Sequence, residues 1–238
     1  MEAGRFGISE ERLRRLASIY ECDSPALIDA LATMTGRRPA GWWDDYRGKI
    51  PPDFLEVSEL EHHATSLRTL QTAHLPGMFQ TEDHARALFD LFIPALPRLE
   101  IELRIAHRLA RHQVLTSEPA VPYKGLIHES ALRMQVGGSH VTKTQLKRLL
   151  EESERDNVTL LVIPFSIGGF PMAGDSVLYA AAHSPHLDTV QVDSPIGAVY
   201  FDSPTQLSNF RRRLDTVEQV ALNPTQSRNA ILAIVEEL

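Results

Sequence analysis

Cysteine is almost missing from this chain: Cys22 is the only one in 238 residues. A disulfide scaffold, a zinc ribbon and a Cys-clustered iron–sulfur site are therefore excluded within one chain, and the reading that follows is a reducing, cytoplasmic compartment. No run of about 18 uninterrupted apolar residues occurs, which argues against a membrane-spanning helix. Met1 to Glu10 has no apolar segment of the secretory kind. Lysine is scarce, at Lys49, Lys124, Lys143 and Lys147 only, the other basic residues being arginine. Positive charge is outweighed too: Lys+Arg is 24 against 31 Asp+Glu, a formal net charge of −7. A sequence-independent nucleic-acid coat needs many cationic phosphate contacts and does not fit. What is present, 43% hydrophobic and 23% charged residues, is the composition of an ordinary globular chain with room for a substantial core.

The apolar spacing predicts helices first. Ser9 caps a helix with Leu13, Leu16, Ala17 and Tyr20 on one face. Ser24-Pro25 opens a second helix carrying Leu27, Ile28 and Leu31. Gly36, Pro39 and Gly41 mark a linker. Trp42, Trp43 and Tyr46 form an aromatic cluster. A helical pattern is expected from Asp53 to Leu70, another from Glu82 to Phe92 behind Thr81, and a long one from Leu99 to Leu115. In the last, Ile101, Ile105 and Leu109 make the apolar stripe, with Arg104, Arg108 and Arg111 largely off it. From Pro119 strands enter: Tyr123 to Ile127, Val158 to Phe165, Val177 to Ala181, Thr189 to Val192 and Ala198 to Phe201. They alternate with helices at Ser130 to Arg133, Val141 to Arg155, Ser203 to about Ala221, and from Pro224 to the end. Helices followed by a small sheet with flanking helices give an α+β fold.

In this order the motifs resemble Xre-type helix-turn-helix regulators of high-GC bacteria that carry a large C-terminal domain of unknown function. Gly41-Trp42-Trp43-Asp44-Asp45-Tyr46 is similar to the family's aromatic entry. Leu75-Pro76-Gly77-Met78-Phe79-Gln80-Thr81 with His84-Ala85-Arg86-Ala87 is similar to its V-P-G-L-L-Q-T-x-x-Y-A-R-A. His128-Glu129-Ser130-Ala131-Leu132-Arg133 is similar to its D-E-x-A-L-R, and Gly197-Ala198-Val199-Tyr200-Phe201-Asp202 to its G-A-L-Y-L-D. The arginine bias agrees with a GC-rich source. The resemblance implies residues 1–38 as the remnant of a helix-turn-helix module and 39–238 as a regulatory domain, with a helical part (39–118) and an α/β part (119–238). Met1 to Arg5 resembles only the tail of a recognition helix. Groove reading is thus expected to be lost or impaired in this chain, with DNA a partner only if the missing helices exist in the native protein.

Two functions are carried forward. The first is a regulator-like protein whose large domain binds a small ligand or a small partner protein in an antitoxin-like arrangement, and which self-associates as a homodimer. Its candidate ligand-binding residues are Arg133, Gln80, Trp43 and Phe165. The second is an enzyme of small-molecule biosynthesis recruited from this scaffold, with His128 and Glu129 as acid–base groups in an apolar pocket. His128 stands where the family has Asp, and His84 where it has Tyr. Each candidate has a structural alternative: Glu129 caps a helix and pairs with Arg133 at i+4, Thr81 beside Gln80 is a cap, and Trp43 is a packing hub. His183-Ser184-Pro185-His186 with Asp188 has ligand spacing but sits in a Pro-broken loop, and no metal is assigned. Ser166-Ile167-Gly168-Gly169 lacks the G-x-G-x-x-G spacing and a lysine. No cofactor is expected.

Overall fold

The computed structural model describes residues 7–35, 40–194 and 197–238. The linker expected at Gly36 to Pro39 lies outside the described residues. The first two helices form where the caps place them. Helix α1 (Glu10–Ile19) starts at Ser9, whose Oγ accepts from the Arg12 amide, and α2 (Pro25–Thr33) starts at Ser24, whose Oγ accepts from the Leu27 amide. The two pack on each other, tied by Arg14 to Asp29 at 2.8 Å.

Trp42–Tyr46 is a short 3-10 turn. Trp43 is buried beneath it, with the His62 and His63 rings 4.9 and 6.0 Å away. Helix α3 (Pro52–His63) follows, and the chain then extends into strand β1 (Ser66–Gln71). The helix expected from Asp53 to Leu70 therefore stops at His63. Ser66 to Gln71 alternates, with Leu67 and Thr69 toward one face and Arg68 and Leu70 toward the other, and two neighbouring strands claim its backbone. Sheet hydrogen bonds on both edges override a helical reading of six residues.

Helices α4 (Glu82–Phe89) and α5 (Arg98–Ala110), with a 3-10 turn at Arg111–Leu115, lead to β2 (Tyr123–His128). Helices α6 (Glu129–Arg133) and α7 (Ser139–Glu152) lead to β3 (Val158–Ile163). A loop then crosses to β4 (Val177–Ala181), followed by β5 (Thr189–Ser194), β6 (Gly197–Phe201), α8 (Pro204–Val220) and α9 (Pro224–Glu237). The six strands make one mixed sheet in the order β3-β2-β1-β4-β5-β6. The first three run parallel, while β4 to β6 are an antiparallel meander beginning against β1. The fold is α+β, as the pattern predicts.

Period-2 alternation gives the sheet two apolar faces. Leu67, Tyr123, Ile127, Leu160, Val162 and Leu178 face α7 and α9, while Leu70, Leu126, Leu161, Tyr179 and Val190 face α8. On the α8 side Arg68 reaches Asp215 (2.8 Å) and Glu218 (3.0 Å), and Lys124 reaches Glu218 (2.5 Å). Edge strand β3 is shielded: Ser227 Oγ accepts from the Val162 amide at 2.9 Å, and the Leu222 amide donates to the Val162 carbonyl at 2.8 Å.

Buried Gln145 on α7 substitutes for a strand neighbour. Its Nε2 donates to the Phe79 carbonyl (2.9 Å) and its Oε1 accepts from the Thr81 amide (2.7 Å). Gln145→Leu orphans both backbone groups and is expected to lower unfolding free energy by about 1–3 kcal/mol. A urea midpoint equal to that of the wild type would count against this clamp.

Candidate functional site

A cleft of about 730 Å³ opens over the part of the sheet's α7 and α9 face that these helices do not cover. Its floor is Thr69 and Gln71 of β1, Tyr123 of β2, Leu178 of β4 and Gln191 of β5. Its walls are α3, the 74–80 segment, the end of α4 with Leu91 and Phe92, and Arg108 and Arg111. Asp53, His74 and Asp193 lie exposed at the mouth.

Polar groups of the floor and walls pair with one another. Tyr123 Oη lies 2.6 Å from Thr69 Oγ1, and burial raises the phenol's pKa. Glu61, almost inaccessible, grips Arg111 through both carboxylate oxygens: Nε donates at 2.8 Å and Nη2 at 2.5 Å. Burial lowers the Arg111 pKa, but the charge of Glu61 and its hydrogen bond more than compensate, and the net shift is upward. Gln80 is fixed by Nε2 donating to the Leu75 carbonyl (2.7 Å), which presents Oε1 to Arg108 Nη1 (2.7 Å). Burial, with the neighbouring charge of Arg111, pulls Arg108 down to about 9, and Asp193 opposes that shift.

Two imidazoles sit behind this wall. His84 of α4 is buried, with neither ring nitrogen hydrogen-bonded among the described residues. Burial, then the charges of Arg108 and His74, lower it to about 4. His107 of α5 lies 2.9 Å from Ser58 Oγ through Nε2, and burial followed by Arg111 and Arg108 lowers it to about 3. Both are neutral near pH 7.

The residues predicted from sequence fall into three places. Gln80 lines the cleft. Trp43 is in the aromatic cluster under the 42–46 turn, packed with Ile50 and Leu55. His128, Glu129, Arg133 and Phe165 come together where β2 and β3 end. There Glu129 accepts from the Phe165 amide (3.0 Å) and from Arg133 Nε (2.7 Å). Arg133 also reaches Glu237 at 2.5 Å. Burial raises the Glu129 pKa, but these hydrogen bonds outweigh it and leave the carboxyl below its ordinary value. His128 lies edge-on to Phe165, ring centroids 5.1 Å apart, with Nδ1 2.6 Å from Ser130 Oγ, which donates to the Thr72 carbonyl at 2.5 Å. Burial lowers the imidazole pKa.

Asp188, noted for its metal-ligand spacing with His183 and His186, accepts instead from Tyr179 Oη (2.6 Å) and the Ala182 amide (2.9 Å). Among the described residues no group of three or more His, Cys, Asp or Glu is placed to hold a metal, and no helix is long and apolar enough to cross a membrane.

Sequence reading missed Arg108, Arg111 and Glu61 as cleft residues. The expected stripe on α5 is also corrected: Arg104 is buried with Ile101 and Ile105, while Leu109 is exposed. Phe54, Phe89 and Phe92 cover the Arg104 guanidinium at 5.1–5.9 Å from their centroids, so its aliphatic and planar parts pack as an apolar residue does. The available signal was the spacing of 104, 108 and 111, which places three arginines along one helical face.

Searches of curated proteins and of solved structures find no match to the chain. A family model, described as a domain of unknown function, matches residues 54–233. That stretch contains the whole sheet and every wall of the cleft except Asp53. It spans well over half of the sequence, and the chain belongs to this family, DUF5753.

Proposed function

We propose that this domain is the ligand-binding part of a transcription-regulator-like protein, and that the cleft over the sheet holds a small molecule. The observation that carries this reading is the cleft itself: 730 Å³ of space with apolar walls from Leu88, Phe89, Leu91, Phe92 and Met78 and a few convergent polar groups, the composition expected of a ligand site. The resemblance to Xre-type regulators supplies the regulatory role, with DNA reading assigned to a helix-turn-helix module to which 1–38 would belong. Acid–base catalysis at His128 and Glu129 is less well supported. Both Glu129 oxygens are engaged and its proton affinity is lowered, which suits a brace between two strand ends better than a proton donor.

Native mass spectrometry of the protein incubated with a chemically diverse metabolite mixture tests the cleft. The wild type is expected to retain at least one small molecule at one per chain. Ala198→Trp, which fills the mouth from a partly exposed strand position, is expected to lose at least tenfold in occupancy. No retention by the wild type, or equal retention by the variant, would overturn the reading.

One observation favours a partner protein in addition. Leu91 and Ile93 of the α4–α5 connection and Leu99 in the first turn of α5 are 67%, 97% and 72% exposed. Large apolar side chains left in water beside a cleft are where a protein surface gains most by being covered. A small partner or a second copy in a homodimer would serve.

A further inference from the structure

The charges along α5 point to the class of ligand. Arg104, Arg108 and Arg111 follow one another on one side of the helix and the turn that continues it. Arg104 pairs with Glu100, and Arg111 with Glu61. Arg108, between them, has no carboxylate partner among the described residues. Its Nη1 donates to a neutral amide oxygen of Gln80, its Nε is buried without a partner, and the Phe89 ring covers one face of the guanidinium, its centroid 4.5 Å away. A guanidinium enclosed by protein and flanked by two others of the same charge is costly to hold alone. The fold has supplied acids to the outer two and left the middle one facing the cleft.

The mouth limits how much negative charge can enter. Asp53 and Asp193 stand there, exposed, and neither belongs to an ion pair among the described residues. Asp193 is near enough to Arg108 to raise its pKa. A ligand that brings one negative charge to Arg108 satisfies the cation. A second charge, left toward the mouth, meets those acids. The apolar lining of the same cleft includes Leu88, Phe89, Phe92 and Met78.

We infer that the cleft takes an apolar-bodied monocarboxylate, its carboxylate on Arg108 and its body against Phe89, Leu88 and Met78. This rests on the proposed reading of the cleft as a ligand site. A phosphate monoester offers Arg108 the same anionic oxygens, but carries close to two charges at neutral pH, and the acids at the mouth select against it.

Isothermal titration calorimetry at pH 7.5 with 3-phenylpropionate, octanoate, 3-phenylpropanamide and octyl phosphate tests the assignment. The two carboxylates are expected to bind at least tenfold more tightly than the amide, and octyl phosphate more weakly than octanoate. Arg108→Met is expected to bind acid and amide alike, while melting no lower than the wild type, because an enclosed unpaired charge has been replaced by an apolar chain of similar length. The exposed Asp193→Asn, which leaves Arg108 in place, is expected to narrow the gap between octanoate and octyl phosphate at least threefold. Binding of none of the four, equal binding of acid and amide by the wild type, acid preference surviving in Arg108→Met, an unchanged phosphate gap in Asp193→Asn, or tighter binding of the phosphate would each overturn it. If the mass-spectrometric screen still finds a ligand of another class, the carboxylate assignment falls and the ligand site stands. If both fail, both fall.

Discussion

Glu61→Ala is expected to destabilise the protein by about 3–5 kcal/mol, the penalty of breaking a buried ion pair from one side. Arg111 meets Glu61 through two hydrogen bonds in a nearly dry part of the cleft wall. Removing the carboxylate leaves a guanidinium that burial already disfavours, beside Arg108 and His107, with no hydrogen-bonded acid and only the weaker influence of Asp193 to offset it. The double change Glu61→Leu with Arg111→Met is expected to recover most of that loss, since replacing both members of a buried pair by apolar groups is often close to neutral. Urea unfolding of the wild type, Glu61→Leu, Arg111→Met and the double variant forms the cycle, with Glu61→Ala measured beside it. A loss in Glu61→Ala below about 1 kcal/mol, the range of exposed pairs, would show that water reaches the pair and that this wall of the cleft is open.

Acid is expected to weaken the fold through two histidines. Above pH 6.5 His84 and His107 are neutral in both folded and unfolded chains and do not make stability pH-dependent. Below it the unfolded chain takes up protons that the folded chain refuses, until about pH 4 for His84 and about pH 3 for His107. Stability is therefore full above 6.5 and falls with pH, by about 1.4 kcal/mol per pH unit for each histidine. That amounts to about 3 kcal/mol for His84 alone by pH 4. The cause is burial first, and then the positive charges of Arg108 and Arg111, which repel an imidazolium. His84→Leu removes one of these sites without orphaning a hydrogen-bond partner, since neither ring nitrogen has one among the described residues. Its urea midpoint should change less between pH 6.5 and 4.5 than that of the wild type. Parallel curves would mean that the ring is hydrated and protonates freely.

Much of the fold was legible because short-range chemistry decides it. Ser9, Ser24 and Thr81 each accept from an amide three residues on, as their places ahead of apolar periodicity predict. Val177 to Ala181 is a strand with the expected limits, and Pro204 and Pro224 open the last two helices. Ser66 to Gln71 was not legible. Six alternating residues after a twelve-residue helix read as its continuation, and only pairing with β2 and β4 makes them the strand between the parallel and antiparallel halves of the sheet. The cleft was less legible still. Gln80 is legible through the Leu75-Pro76-Gly77 turn before it, but Arg108 and Arg111, which give the cleft positive charge, read only as lying largely off the apolar stripe of α5.

The sequence by itself determined the class of fold, the helix starts, most of the strands and that no two cysteines of this sequence can be bridged, because caps, prolines, alternation and a single cysteine act within a few residues or by simple count. Tertiary structure alone decided which charged groups far apart in the chain are paired. Glu61 lies 50 positions before Arg111, and no local pattern shows that this acid serves Arg111 or that Arg108 is left to face open space, whereas Glu100 and Arg104 are an i,i+4 pair that helical spacing already offers. The chain's negative charge is distributed by packing, and packing leaves one positive charge in the cleft without a carboxylate among the described residues.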